Sequence, residues 1–214
     1  KLSINYIKQS LNADALGRDF YKFLLVHTGF LIFTYLPNVF INTFLMNQTG
    51  SIDVILIYNL LNFLFTAVGM FVSAAVVHRF NSGIVSVLGI ICYNLLYLQL
   101  ILLNDKSADF VVLLGITSGL AGSFYWISYS QRLTEYTDLS NRDTGMAIIN
   151  IVFSVVNAIA PLLAGIIISS VGGFKGYETV FGIAFVVAII TAVGAIRLPQ
   201  PKSERVHVMH GKAI

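Results

Sequence analysis

The apolar run Ile148–Gly165 is interrupted at Asn150, Ser154, Asn157 and Pro161, and it continues apolar to Ser170. Gaps of four, three and four residues put these positions on one stripe of an α-helix. A matching order occurs 88 positions earlier in Leu60–Val77, where the stripe is Asn62, Thr66, Gly69 and Ser73. Asn62 pairs with Asn150, Phe65 with Phe153, Thr66 with Ser154 and Val68 with Val156. The match predicts two copies of a three-helix unit; the alternative is chance likeness between two apolar helices.

Runs of this kind recur along the chain and predict six spans, roughly Phe23–Met46, Asp53–Val77, Gly83–Leu103, Asp109–Gln131, Gly145–Ser170 and Glu178–Arg197. Each approaches the 20 or so apolar residues that a bilayer core requires. The links are short, so consecutive helices should be antiparallel neighbours. The fold class expected is an all-α membrane protein, with six transmembrane helices arranged as two inverted three-helix repeats, about 23–103 and 109–197. Residues 1–22 form a polar, mixed-charge lead-in, in which Tyr6, Ile7, Leu11, Leu16 and Phe20 fit either a surface helix or a solvated segment. Residues 198–214 form a basic tail or a linker to a further half.

Composition agrees with this class. Hydrophobic residues make up 57% of the 214, charged residues only 11%, and mean hydropathy is +0.81. A soluble domain carries about 25% charged residues. The lone Cys92 excludes an internal disulfide, and no Cys/His metal spacing exists. The first apolar run is too long for a cleaved signal peptide. Because the chain starts at Lys1 without Met, it reads as a trimmed or partial sequence. With the N-terminus inside, eleven of the thirteen Lys and Arg fall on inner segments, leaving Lys106 and Lys175 outside. That bias places both termini in the cytoplasm. An odd number of spans per repeat then inverts the second copy relative to the first. Asn47-Gln48-Thr49 fits a glycosylation pattern but lies against the membrane and is read as chance.

The candidate chemistry is mostly uncharged. No Asp, Glu, Lys or Arg lies deep in a span, and His27, within about two turns of the inner end of span 1, is the only titratable candidate for a proton relay. The alternative for His27 is ordinary hydrogen bonding near the interface. Amides and small polar residues form stripes on span 1 (Thr34, Asn38, Asn42), span 2 (Asn59, Asn62, Thr66), span 4 (Ser118, Gly122, Trp126) and span 5 (Asn150, Asn157). An unsatisfied amide in hydrocarbon costs several kcal/mol, so these groups must face water or other helices. Spans 1, 2, 4 and 5 are expected to surround a polar path, with spans 3 and 6 supporting them from outside. Helix-to-helix bonding is the competing use of the same amides. Tyr125, Trp126 and Tyr129 suit either a substrate stack or an interfacial belt.

Gly115 and Gly119, and the seam Ala184, Ala188 and Ala192, predict close helix contacts. Pro37 and Pro161 are candidate kinks. Arg132, Glu135, Asp138, Arg142 and Asp143, with Arg79, suggest an ion-pair gate at the inner mouth; a solvated loop is the alternative. No nucleotide-binding loop or paired intramembrane carboxylate is present. Gly122-Ser123 has no membrane-embedded His placed to activate it. No enzyme activity, cofactor, metal or nucleic-acid partner is expected.

After span 2, Ala74-Ala75-Val76-Val77-His78-Arg79-Phe80-Asn81-Ser82-Gly83 aligns with a Gly-x-x-x-Asp-Arg-x-Gly-Arg-Arg motif, of which Arg79 alone matches strictly. In span 5, Ala160-Pro161-Leu162-Leu163-Ala164-Gly165 is similar to Gly-Pro-x-x-Gly-Gly. With these motifs, residues 20–200 resemble one six-helix half of the major facilitator superfamily, most like its N-terminal half. An Arg expected early in span 4 is missing, which argues against proton-coupled drug antiport. The resemblance implies a transporter of the cell membrane working by alternating access. Spans 1 and 4 would line the path and spans 2 and 5 would border a second six-helix half; an amide- and aromatic-lined path without fixed charge suits a small neutral or amphipathic solute. Candidate path residues are Asn38, Asn42, Asn62, Tyr125, Trp126, Tyr129, Asn150 and Asn157; candidate gating residues are Arg79, Glu135, Arg142 and Pro161. A non-transporting membrane module of the same fold, or the permease domain of an ATP-driven transporter, are the alternatives.

Overall fold

The computed structural model describes residues 16–199. The expected lead-in lies mostly outside the described residues, and so does nearly all of the basic tail. The described chain forms α1 (Arg18–Thr49), α2 (Ile52–Arg79), α3 (Ser82–Leu103), a 3-10 segment (Asn104–Phe110), α4 (Val111–Glu135), α5 (Arg142–Val171) and α6 (Gly173–Ile196). No strand occurs among the described residues. Five stretches are long and apolar enough to cross a bilayer; one of them, Ser82–Glu135, contains both α3 and α4.

Local chemistry sets the breaks. α1 ends on Gly50, whose φ of 65° is left-handed and costs glycine little. Ser51 caps α2 by accepting from the Asp53 N–H, and Asn81 caps α3 by accepting from the Ile84 N–H at 2.9 Å. Gln48 ties the far end of α1 to the 3-10 segment: its Nε2 donates to the Asn104 carbonyl and its Oε1 accepts from the Ala108 N–H.

The contacts fix how the helices run. Ser82 and Gly89 meet Ser128 and Tyr125, so α3 and α4 are antiparallel. Gly115 and Gly119 meet Tyr58 and Asn62, so α2 and α4 are parallel. α1 lies parallel to α5, with Phe20 at Gly145 and Phe40 at Gly165, and antiparallel to α6, with Phe44 on Phe181. Gly119 is the tightest of these approaches: a Cβ there would sit 2.5 Å from the Asn62 carbonyl oxygen and 2.8 Å from the Thr66 nitrogen. This small-residue spacing brings two backbones together, where dispersion is gained without a hydrophobic driving force. Ala184 and Ala188 are likewise buried.

Of the sequential pairs, the antiparallel α3 and α4 pack most extensively. α2 packs chiefly on α4, and α1 chiefly on α5 and α6. α1 and α2 touch little because a cavity lies between them. α2 and α5 are the least enclosed: 11% and 17% of their most apolar windows lie inside the bundle, against 50% for α1.

Both prolines sit inside unbroken helices. Pro37 has no N–H, so the carbonyl of Phe33, four residues back, loses its helical donor. The Tyr97 hydroxyl of α3 donates to that carbonyl at 2.8 Å. The freed group is thereby satisfied by a neighbouring helix, as a low-dielectric interior requires.

Candidate functional site

A cavity of about 590 Å³ opens among α1, α2, α3 and α4. Its volume falls in the range of about 300–1,000 Å³ typical of small-molecule sites. α1 contributes Phe30, Thr34, Tyr35, Asn38 and Asn42; α2 contributes Tyr58, Asn59, Asn62 and Thr66. α3 adds Tyr93 and Tyr97, and α4 adds Ser118, Gly122 and Trp126. No charged side chain lines it.

Hydrogen bonds assign the amides. Asn59 Nδ2 donates to the Ile55 carbonyl at 2.8 Å, so the same atom, 3.1 Å from Asn42, must meet an oxygen there. Asn42 Oδ1 is therefore occupied, and its Nδ2 is left facing the cavity. Asn62 Nδ2 donates to Ser118 Oγ at 2.8 Å, and its Oδ1 accepts from Thr66 Oγ1. Tyr58 also donates to Ser118 Oγ. Asn59 and Asn62 thus join α2 to α1 and α4 while still forming cavity wall. Sequence reasoning left open whether the amides line a path or join helices; on α2 they do both.

Toward the end of the bundle that carries Arg18, Arg79, Arg132, Arg142 and Arg197, aromatic rings close the space between α1 and α4. Phe30 stacks on Tyr125 with centroids 3.3 Å apart, and His27 stacks on Tyr129 at 4.5 Å. His27 Nδ1 lies 3.0 Å from the Tyr125 hydroxyl. Phe23 extends the stack to Tyr129 and Tyr136. The Tyr136 hydroxyl donates to the Pro199 carbonyl at 2.6 Å, and burial raises its pKa, which keeps that proton in place.

The structure brings together only part of the expected path. Asn38, Asn42, Asn62 and Trp126 line the cavity. Tyr125 and Tyr129 do not; they belong to the stack beneath it, because their rings turn toward His27 and Phe23. Asn150 and Asn157 do not line it either, because they lie on the exposed side of α5, with Ser154 bonding back to the Asn150 carbonyl. Pro161 is half-buried on α5 and away from the cavity. His27 is buried in the stack and also stands outside the cavity wall.

No ion-pair gate forms among the described residues, where the one salt bridge joins Lys22 to Asp19. Arg79 is exposed. The His78 side chain lies outside what is described. Glu135 accepts from Ser82 Oγ at 2.8 Å and from Gln131 at 2.9 Å, and Arg142 Nε donates to Thr137 Oγ1. These side chains serve loop and helix-end hydrogen bonds instead of pairing with one another. Arg132 is only 2% exposed, and its Nε and Nη1 have no hydrogen-bond partner among the described residues.

Sequence reasoning missed the tyrosines. α3 was expected to support from outside, yet Tyr93 and Tyr97 form part of the wall. The signal was present: these two are four residues apart and so share one helix face.

A protein of Geobacillus stearothermophilus described as "Uncharacterized protein in sodM 3'region" is 26% identical over 176 residues, covering 82% of each chain. The uncharacterized protein YqgE of Bacillus subtilis (strain 168) is 25% identical over 169 residues, which is 79% of this chain but 39% of YqgE. The chain therefore spans well under half the length of that relative. No solved structure matches. The sequence model of the Major Facilitator Superfamily matches residues 23–211, and the long apolar helices agree with it. The chain is a multi-pass membrane protein and belongs to the Major Facilitator Superfamily, a family of membrane transporters.

Proposed function

We propose that this chain is a six-crossing half of a transporter that moves a small neutral or amphipathic solute by alternating access. The observation that carries the reading is the uncharged, amide- and tyrosine-lined cavity between α1, α2, α3 and α4, closed on the arginine-bearing side by the His27–Tyr125 stack. A desolvated ion would find no counter-charge there, whereas a neutral polar solute finds hydrogen bonds. The arginine-bearing side is the cytoplasmic one by the Lys/Arg bias, and both termini lie on it.

The inverted repeat is supported by the pattern of packing. Exchanging α1 with α4, α2 with α5 and α3 with α6 turns the α1–α5 pair into α4–α2 and the α1–α6 pair into α4–α3. The partner half covers the apolar faces of α2 and α5, where Phe71 is 82% and Leu162 64% exposed. YqgE, more than twice the length of the segment it shares with this chain, fits that arrangement.

One observation favours the rival reading of a non-transporting module. Arg79, the strict match in the loop motif, is exposed and makes no ion pair among the described residues. Cysteine accessibility separates the two. In a Cys92→Ser background, Asn38→Cys should react with a membrane-impermeant maleimide from either side of sealed vesicles, and blocking it should stop solute flux. Labelling from one side only, under all conditions, would refute alternating access and leave the module.

A further inference from the structure

The cavity's unused hydrogen-bonding groups include several donors. Asn42 Oδ1 is occupied by Asn59, which leaves the two protons of Asn42 Nδ2. Trp126 Nε1, which can only donate, has no partner among the described residues, and the hydroxyls of Tyr35 and Tyr93 are also unpaired. Some acceptors are already used. Asn62 Oδ1 accepts from Thr66, and Ser118 Oγ accepts from both Asn62 and Tyr58. The amide oxygens of Asn38 and Asn59 are the unengaged carbonyl side chains of the wall, since Asn59 bonds through Nδ2 alone. No carboxylate or imidazole is present to take a proton from a ligand. Around these donors stand ring faces and edges from Phe30, Tyr35, Phe63, Tyr93 and Trp126.

We propose that the cavity receives a neutral, flat-ringed solute that accepts hydrogen bonds through carbonyl or ring-nitrogen atoms. This rests on the transporter reading above and narrows its solute. A flat ring lies between aromatic side chains in offset or edge-on contact, while its carbonyl and ring-nitrogen atoms take the Asn42 and Trp126 protons. A polyol fits poorly because it has no ring face to set against the aromatic side chains. An ammonium group would be desolvated with no carboxylate to meet it.

The test uses three probes on the protein in vesicles of the membrane that carries it, where any partner half is present: tritiated 1,3,7-trimethylxanthine, which is flat and neutral and accepts without donating; sorbitol; and benzylammonium. The xanthine should bind saturably and at least about tenfold more tightly than either other probe. Trp126→Phe keeps a ring and removes the donor, and Asn42→Leu removes the amide. Each should weaken xanthine binding about two- to tenfold, the range expected for one neutral hydrogen bond. Tyr93→Phe, the mildest change, should do the same and guards against a misfolded variant. Tighter binding of sorbitol or benzylammonium, absence of saturable xanthine binding, or indifference to all three substitutions would each overturn the proposal. Sorbitol binding together with two-sided labelling at position 38 would reject the solute class and leave the transporter reading intact.

Discussion

On α2, Asn59 and Asn62 reach across to Asn42 of α1 and Ser118 of α4. On α5, the corresponding stripe of Asn150, Ser154 and Asn157 lies exposed, and Ser154 satisfies itself on its own helix. The two stripes are nearly interchangeable as sequence. They differ because α2 has α4 pressed against its polar side through Gly115 and Gly119, while that side of α5 has nothing described against it. A row of amides in an apolar helix thus records a demand for partners and leaves open where the partners come from. The prolines repeat the lesson. Pro37 frees a carbonyl that Tyr97 repairs, whereas Pro161 frees the carbonyl of Asn157 on the exposed stripe.

The contrast can be broken most sharply at the glycine contact. Gly119→Leu forces side-chain atoms into the α2 backbone, 2.5 Å from the Asn62 oxygen at the Cβ alone. A loss of about 3 kcal/mol or more is expected, at the upper end of overpacking costs. Thermal unfolding in detergent would reveal it, and an unchanged midpoint would mean that α2 and α4 are not in backbone contact.

Next is Tyr97→Phe, which leaves the Phe33 carbonyl buried without a donor. The expected cost is about 1–3 kcal/mol. Hydrogen exchange should loosen around residues 33–37, because that turn already lacks one helical bond. A variant as stable and as protected as the parent would show that Pro37 needs no repair.

The paired substitution Asn62→Leu and Asn150→Leu compares the stripes themselves. Asn62→Leu removes one donor to Ser118 and one acceptor for Thr66, which keep Tyr58 and the Gly119 carbonyl, and should cost about 0.5–1.5 kcal/mol. Asn150→Leu should fall within about 0.5 kcal/mol of the parent in the isolated chain, as a surface change does. Equal losses in denaturant titrations would abolish the distinction drawn between α2 and α5.

Much of the architecture was legible in the residues. Apolar runs of bilayer length locate the helices, because an exposed backbone cannot remain unpaired in lipid. The span 2 and span 3 starts lie within one residue of α2 and α3, where Ser51 and Asn81 provide caps. α1 begins five residues earlier than expected and α6 five residues earlier, since apolar content marks the membrane core and not the helix end. The candidate site was legible in part. Asn38, Asn42, Asn62 and Trp126 sit where polar periodicity puts them, on the inner faces of α1, α2 and α4. Tyr125 and Tyr129 share a helix with Trp126, but they turn toward α1 and seal the bundle.

By itself the sequence determined the class, the helix stripes and the absence of charge along them, because those follow from hydrophobic length and from the 3.6-residue period. Only the tertiary structure decided which stripe faces a cavity, which amide oxygen is already taken and which proline is repaired. Those outcomes depend on the helix that arrives opposite, and helical periodicity fixes a direction around an axis without naming what stands there.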